Sequence, residues 1–549
     1  MQMTIPPILS RCRAILSGGL LFGLTCISVP AQARKFYHDD PIRKEPPPRS
    51  AEQAIARKLS DYYDFFHHTF ATPGEKQNAA RQIRSQNVNT LGEVPESGWY
   101  ANRHYASPMT ADELARGAAD ANAPEAGGQW TVIAAKSEGV TPGFTIRDPR
   151  GRRYVMKFDP LDYPEMTTAA EIISSAFFHA LGYHVPENYL VEFGREQLVL
   201  GEDVRLRDQL GNERRMTQRD ITEILLNVPR QPSGKYRAVA SLYITGKNLG
   251  PFRYYGTRRD DPNDVVPHEH RRELRGLGIF SAWLGHDDSR AINTADFLVP
   301  DGGTQSIRHY LIDFGSTLGS GSTKPNSPRS GFEYLFSWRP PALQFFTLGL
   351  LVPEWAKAKH PDLPAVGRFE SEKFDAARWV PEYPNPAFLN RFPDDEFWAA
   401  RQVMNFSDAQ IRAIVAIGAY SDPRAQQWVV DRLIERRDKI GRAFLTKVLP
   451  LDRFEVVDGR LVFEDLAAKY GIAPPAQYSV QWLRFDNESE VKTPLPGETA
   501  LVIPAPVRSA PAGEYFVAEL RGADPGKSVA VYVRTTAAEV EIVGIERTW

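Results

Sequence analysis

The sequence predicts an α+β fold: an N-terminal extension, a small region of sheet plus one helix, a mainly helical region, and a small C-terminal β domain. Three observations carry this. Between residues 129 and 200, short β-branched and aromatic runs alternate with Gly, Pro and Asp turn signals, and one amphipathic helix follows them. Between 395 and 448 the apolar spacing is helical. Beyond Leu451 it reverts to strand-like alternation.

From the N-terminus, Arg11 and Arg13 precede an apolar run from Ala14 to Val29, which Ala31-Gln-Ala33 closes as a small-x-small cleavage signal. An exported protein, periplasmic or secreted and cut after Ala33, is expected. The run is too short and too Gly-rich for a good membrane span, and no other stretch is apolar enough to cross a bilayer. Cys12 and Cys26, the two cysteines, both fall inside this segment, so a mature chain from Arg34 has neither disulfide nor thiol chemistry. A formal net charge of −2 over 549 residues provides no global field for nucleic acid or an anionic membrane.

Residues 34–50, charged and Pro-rich, read as a flexible leader. Residues 51–70 read as a helix with Ile55, Leu59, Tyr62, Phe65 and Phe66 on one side, and 72–128 as an irregular wrapping segment with a short helix from Ala111 to Arg116. Strands are expected at Trp130–Ile133, Phe144–Ile146 and Tyr154–Phe158, with a loop from Glu138 to Gly143 between the first two. Glu165 to Leu181 is an amphipathic helix stopped by Gly182. Further strands follow at Val185–Phe193 and Tyr236–Ile244, with 201–234 a charged insertion between them, and a helix from His268 to Leu284 then leads to a loop at Asp288. After long Pro-, Ser- and Trp-rich loops over 320–390, helices resume at Asp395–Met404, Asp408–Ile417 and Pro423–Val448, the last capped by Ser421 or Asp422. Alternating strands at Tyr478–Phe485, Glu514–Leu520, Ser528–Arg534 and Ala538–Ile545 build a β domain over 452–549.

The chemistry concentrates in two segments. Asp288 and Asn293 stand five residues apart on one loop, and Asp313 follows the apolar strand Tyr310-Leu-Ile312. Between them, Phe297-Leu-Val runs through Pro300-Asp-Gly-Gly303 to Ile307 as a β-hairpin, whose closure makes Asn293 and Asp313 neighbours. An amide oxygen beside a carboxylate is a hard-oxygen set suited to Mg2+ (or Mn2+), which takes few protein ligands and leaves room for phosphate oxygens. Upstream come the loop glycines Gly139 and Gly143, then Lys157 on the third strand, then Glu171 fourteen residues later in the helix.

This order of glycine loop, strand lysine, helix glutamate, catalytic loop and Asp-Phe-Gly resembles the protein-kinase-like superfamily. The closer likeness is to its phosphoinositide-kinase and HipA-like branches. Gly285-His-Asp-Asp-Ser-Arg-Ala-Ile-Asn293 is similar to the phosphoinositide-kinase catalytic loop, and Ile312-Asp-Phe-Gly-Ser-Thr-Leu-Gly319 to its metal motif. Ala170-Glu-Ile-Ile-Ser-Ser-Ala-Phe-Phe-His-Ala-Leu-Gly182 with Val185-Pro-Glu looks like a HipA-like helix and next strand. Ser137–Phe144 and Ser97–Arg103 also look like segments of an uncharacterised group of exported bacterial proteins. The resemblance covers residues 130–450 and implies a two-lobed kinase-like fold, N-lobe 129–250 and C-lobe 251–451. It implies that backbone N–H groups near Gly139 and Gly143 approach phosphate, and that Lys157, held by Glu171, pairs with phosphate. Asn293 and Asp313 then hold the metal, Asp288 acts as base, and Tyr243 in the hinge strand Ser241–Ile244 adjoins the nucleotide. The usual catalytic-loop histidine is displaced, which makes Asp287 a rival base; the five-residue spacing to Asn293 favours Asp288. The glycine loop, with Pro142 inside it, departs from Gly-x-Gly-x-x-Gly.

Other motifs are set aside. Gly522-Ala-Asp-Pro-Gly-Lys-Ser528 is one residue short of a phosphate-binding loop and precedes a strand, not a helix. His268-Glu-His270 lacks zinc spacing and reads, with Arg271 and Arg272, as a solvated helix start; His67-His68 reads as surface. No Gly-x-Ser-x-Gly elbow is present. The run Arg253-Tyr-Tyr-Gly-Thr-Arg258-Arg259 is read as shaping the cleft beside the hinge strand for an anionic group of a substrate, not for nucleic acid. The functional expectation is ATP- and Mg2+-dependent phosphoryl transfer to a hydroxyl on a protein, lipid headgroup or small molecule. The alternatives are a catalytically inactive pseudokinase or binding scaffold in the cell envelope, and nucleotidyl transfer on the same fold.

Overall fold

The computed structural model describes residues 34–77, 81–135, 143–207, 213–337, 345–347, 350 and 352–549. The expected export segment 1–33 and Gly139 lie outside the described residues. The leader is docked, not flexible. Phe36 is buried among the rings of Phe485, Tyr515 and Tyr532, and Lys35 reaches Glu546 at 2.6 Å.

Residues 51–70 are helical only over α1 (Asp61–Phe66) and one π-helical turn, His67–Ala71. Upstream, Ala51 and Ala54 are buried, and the N–H groups of Ala51 and Arg57 donate to the carbonyls of Gln305 and Leu249. Small residues let extended backbone lie close against its neighbours, while Ile55, Tyr62 and Phe66, expected as the buried side, are exposed. His68, expected at the surface, is buried with Nδ1 2.8 Å from the Asp64 carbonyl oxygen. The short helix α2 (Ala111–Arg116) lies where expected, closed by a Thr110–Glu113 capping box.

β1 (Trp130–Ala135), β2 (Gly143–Arg147) and β3 (Arg153–Lys157) form an antiparallel meander, with Gly143 opposite Lys157. The helix α3 (Met166–Ala180) follows, then β4 (Asn188–Phe193) and β5 (Leu198–Leu200). The charged insertion holds a hairpin, β6 (Arg205–Arg207) with β7 (Glu213–Arg215), and α4 (Gln218–Leu225); β8 (Tyr236–Leu242) returns to the sheet. Among the described residues the sheet order is β4-β8-β3-β2-β1-β5. One face packs Trp130, Phe144, Tyr154, Met156 and Tyr236 against Ile221 and Leu225 of α4. α3 is buried nearly all round. Its first N–H groups would be orphans there, and the Asp159 carboxylate accepts from Thr167 and Thr168 at 2.9 and 2.8 Å.

After β9 (Lys247–Asn248), α5 (Arg272–Leu284) runs to Gly285, whose φ of 66° breaks the helix and releases the next loop. β10 (Thr294–Asp301) and β11 (Thr304–Leu311) pair from Thr294↔Leu311 to Asp301↔Thr304, turning on Gly302 and Gly303, both with positive φ. Gly98 is required where the extension crosses β11, because a Cβ there would meet the Ile307 carbonyl oxygen at 2.5 Å. The stretch from His268 to Arg272, expected to be solvated, is buried. Arg272 and Arg275 bond Asp395 at 2.9 and 3.1 Å, and His268 bonds Asp264 at 2.7 Å. The helices Pro393–Met404, Asp408–Ala416 and Pro423–Phe444 share one core with α3 and α5, and Asp422 caps the last through the Arg424 N–H.

The tail contains the hairpin β12 (Leu451–Val457) with β13 (Arg460–Asp465). It continues with β14 (Ser479–Phe485), β15 (Lys492–Pro494), β16 (Tyr515–Arg521), β17 (Ser528–Thr535) and β18 (Val540–Thr548). The last five are antiparallel in the order β15-β14-β16-β17-β18. Arg401 ties the β12–β13 hairpin to the helices through both oxygens of Asp452, at 2.8 and 2.7 Å. No helix among the described residues is long and apolar enough to cross a membrane.

Candidate active site

Period-two geometry places Lys157. Tyr154 and Met156 point into the sheet core, so Lys157 at the end of β3 points to the other face. There its Nζ lies 2.9 Å from Glu171 Oε2 on α3 and 3.0 Å from Asp313 Oδ1 beyond β11. The Glu171 side chain is 1% exposed and that of Asp313 47% exposed, so the ammonium joins a buried acid to a solvent-facing one. Burial alone pushes the lysine pKa down; the Asp313 and Glu171 carboxylates overrule it and hold it above the ordinary lysine value. Asn188 Nδ2 bonds the other oxygen of Glu171 at 3.4 Å.

Asp313 sits in the left-handed region, φ 63° and ψ 65°. That conformation costs a non-glycine residue about 1–2 kcal/mol, and strain of this kind gathers at functional sites. Phe314 is buried and stacks on Phe178 of α3 with centroids 5.1 Å apart. Gly315 lets the turn close on α3: a Cβ would stand 2.9 Å from Thr167 Cγ2 and 3.6 Å from Glu171 Oε2.

The hairpin joins the second segment to the first. Ile312 N–H donates to the Asn293 carbonyl oxygen at 3.0 Å, which puts Asn293 beside the residue preceding Asp313. Asn293 Nδ2 donates to the Asp288 carbonyl oxygen at 2.8 Å, which fixes the amide and sets its oxygen at the opposite end. Below the loop, Ser289 Oγ is 2.8 Å from Ser281 Oγ on α5.

The rival acids differ in their surroundings. Asp287 accepts from Asn326 Nδ2 at 2.8 Å, and burial pushes it up to about 6, with the Ser330 and Asn326 hydrogen bonds opposing. Asp288 is also raised by burial, but the Arg290 guanidinium contacts its carboxylate and opposes that rise. Arg290 reaches Asp61 of α1 at 3.0 Å and Glu382 at 3.5 Å, and burial, then the nearby Asp288, pushes Glu382 up to about 8. Sequence reasoning missed all three. Arg290 stands inside the loop already singled out, but no local pattern at Asp61 or Glu382 points to it.

The remaining site residues are placed as follows. Gly143 is cross-strand partner to Lys157. Tyr243 lies just past β8, four residues beyond Val239, the other partner of Lys157. It is 41% exposed with the Arg153 guanidinium 4.4 Å over its ring, and the structure does not bring it to the lysine triad. The Arg253–Arg259 run lines a cavity together with Asp296 of β10 and residues 57–59. The donor types fit a hard divalent cation next to phosphate: a half-exposed carboxylate on Asp313 with the Lys157 ammonium beside it, and the Asn293 amide, whose backbone carbonyl pairs with the residue before Asp313. Among the described residues no group of three or more His, Cys, Asp or Glu gathers into an all-protein metal cage.

No protein-family model matches this chain, and no curated protein matches it. Solved structures similar to it include a proinflammatory kinase, CtkA, of Helicobacter pylori, at 11% identity, covering 55% of this chain and 94% of that one, with a TM-score of 0.30. The Golgi casein kinase with Mn and ADP bound is similar at 10% identity, covering 64% of this chain and 78% of that one, with a TM-score of 0.31. Another structure of the Golgi casein kinase is similar at 11% identity, covering 73% and 97%, with a TM-score of 0.30.

Proposed function

We propose that this chain is an exported phosphotransferase of two-lobed, kinase-like fold that uses Mg2+ and ATP to phosphorylate a hydroxyl acceptor. The single observation that carries the reading is Lys157 Nζ held at 2.9 Å from Glu171 and 3.0 Å from Asp313. One strand lysine clamped between a buried helix acid and an exposed acid is a pre-organised place for phosphate charge. Export rests on the basic, apolar and small-x-small pattern that ends at Ala33.

In this reading Lys157 neutralises phosphate oxygens and Glu171 keeps it in place. Asn293 and Asp313 would hold the metal, and the backbone near Gly139 and Gly143 would approach the nucleotide. The bound metal and nucleotide would supply charge neutralisation and the phosphoryl donor. Asp288 accepts the proton of the acceptor hydroxyl, and Arg290 positions its carboxylate. Catalysis of this kind needs positioning and charge more than covalent chemistry.

The test is thermal unfolding of the purified protein with and without Mg-ATP. At a ligand concentration of about 100 Kd, stabilisation of about 2.7 kcal/mol is expected, and Asp313→Ala should abolish it. Absence of any Mg-dependent nucleotide shift defeats the reading. A second reading, a binding scaffold without turnover, is favoured by one observation: the Arg290 guanidinium contacts Asp288, and a carboxylate so clasped is a weak base. Nucleotide stabilisation without Mg-ATP hydrolysis or transfer would select that reading, and mass analysis of modified acceptors separates phosphate from nucleotidyl transfer.

A further inference from the structure

A cavity of about 550 Å3 opens beside the segment that follows β9. Its wall carries Arg57, Lys58, Arg253, Arg258, Arg259 and His268, and one carboxylate, Asp296. The charges do not cancel. Asp296 is engaged by Arg258 at 2.8 Å and His309 at 2.6 Å. Arg57 pairs with Asp260, and His268 is held by Asp264 at 2.7 Å. Lys58, Arg253 and Arg259 are exposed, and among the described residues none has a carboxylate within ion-pair distance. Three exposed cations without an ion-pair partner among the described residues, one of them (Arg253) lying 5.6 Å over the Tyr255 ring, line one concavity in a chain of formal net charge −2. A concave wall of one sign focuses its field on whatever enters.

The cavity also adjoins the candidate catalytic loop. Phe252 N–H donates to Thr294 Oγ1 at 3.0 Å, one residue after Asn293. The buried phenol of Tyr254 is raised by burial and then by the carboxylates of Asp64 and Asp288, which places it near both. The run from Arg253 to Arg259 lines the cavity, and Phe252 just before it bonds the residue after Asn293.

We propose that this cavity is a binding site for a phosphate monoester. Three exposed cations suit a dianion better than a single carboxylate, and Arg presents a planar fork of N–H donors that matches phosphate oxygens. The volume lies in the range of small-ligand pockets and exceeds what one phosphate fills, so the rest of the ligand enters too. A phosphate monoester reaches an exported protein either free or as a lipid headgroup.

The experiment is calorimetric titration of the purified full chain, without Mg2+ and at fixed ionic strength. One arm uses glycerol 3-phosphate; the other uses phosphatidylcholine vesicles with and without phosphatidic acid. Saturable binding in the first arm identifies a free ester, and binding only in the second identifies a headgroup; either supports the site. The variant Lys58→Ala/Arg253→Ala/Arg259→Ala, exposed at all three positions, should bind at least about tenfold more weakly, one decade being the least that loss of a charge-assisted bond costs. Its unliganded melting and its Mg-ATP stabilisation should equal those of the parent. Equal binding by parent and variant, or none in either arm, overturns the proposal. Asp313→Ala should bind the ester as the parent does, so the site stands or falls independently of the nucleotide reading.

Discussion

Replacing Lys157 with Met separates what the lysine does for the fold from what it does for a ligand. The change keeps an unbranched side chain one atom shorter and removes its charge. Glu171 then remains 1% exposed without the one cation that pairs with it among the described residues, while Asp313, half exposed, turns to water. Breaking a buried ion pair by removing one partner costs about 3–5 kcal/mol, because a buried charge is left uncompensated. The Lys157 side chain is 13% exposed, so little solvent makes up the loss.

The cost must depend on pH. Without Lys157, burial leaves the Glu171 carboxyl raised above its unfolded value, so the folded form binds its proton more tightly. At low pH both states are protonated and the deficit is small; as pH rises through the unfolded value of about 4.3 the unfolded chain releases its proton first and the deficit grows. The double variant Lys157→Met/Glu171→Met removes the charge as well as its partner and should recover most of the stability, since replacing both members of a buried pair is often close to neutral. Chemical unfolding at pH 5 and pH 8 measures both. Mg-ATP stabilisation should be absent from both variants. A single variant as stable as the double at pH 8 would refute the claim that Lys157 offsets the charge of Glu171.

The other expectations are simpler. Asp287→Asn should gain stability over the parent at pH 8 and none at pH 3: Asp287 is raised to about 6, so its ionisation costs the folded state as pH climbs from 4 to 6, by about 3 kcal/mol at 1.4 kcal/mol per pH unit. Unfolding midpoints at the two pH values check it. Arg290→Met should leave nucleotide stabilisation intact while moving the acid limb of Mg-ATP hydrolysis to higher pH, because Arg290 holds the Asp288 carboxyl down; Arg290→Lys should restore part of the profile. Phe36→Ala should destabilise the tail by about 3–5 kcal/mol, read by denaturant unfolding, with the nucleotide response unchanged.

What the sequence made legible was what neighbours in the chain decide. The meander, α3, the hairpin from Thr294 to Leu311 and the tail strands follow from alternation and turn residues a few positions apart. The convergence of Lys157, Glu171 and Asp313 was legible for the same reason, since each stands at a fixed offset from a strand end, a helix start or a hairpin. The helix expected over 51–70 failed because its large apolar residues were taken for the buried side, whereas Ala51 and Ala54 are the residues that fit against the backbone beside them.

The charged stretch at the start of α5 marks where local reading ends. Charged residues are rarely buried unless paired, so His268 to Arg272 reads as solvated on composition alone. What buries it is Asp395, more than a hundred residues later, whose two oxygens meet Arg272 and Arg275 while Ser85 donates at 2.7 Å. The clasp on Asp288 has the same origin: Arg290 is local, but Asp61 comes from the extension and Glu382 from a distant loop. Spacing to Asn293 can therefore single out Asp288, yet its electrostatic surroundings include acids that no motif contains. Arg290 contacts Asp288, Asp61 and Glu382 together, so if Asp288 is the base of the proposed transfer, the pH profile of the Arg290 variants tests that role more directly than the motif does.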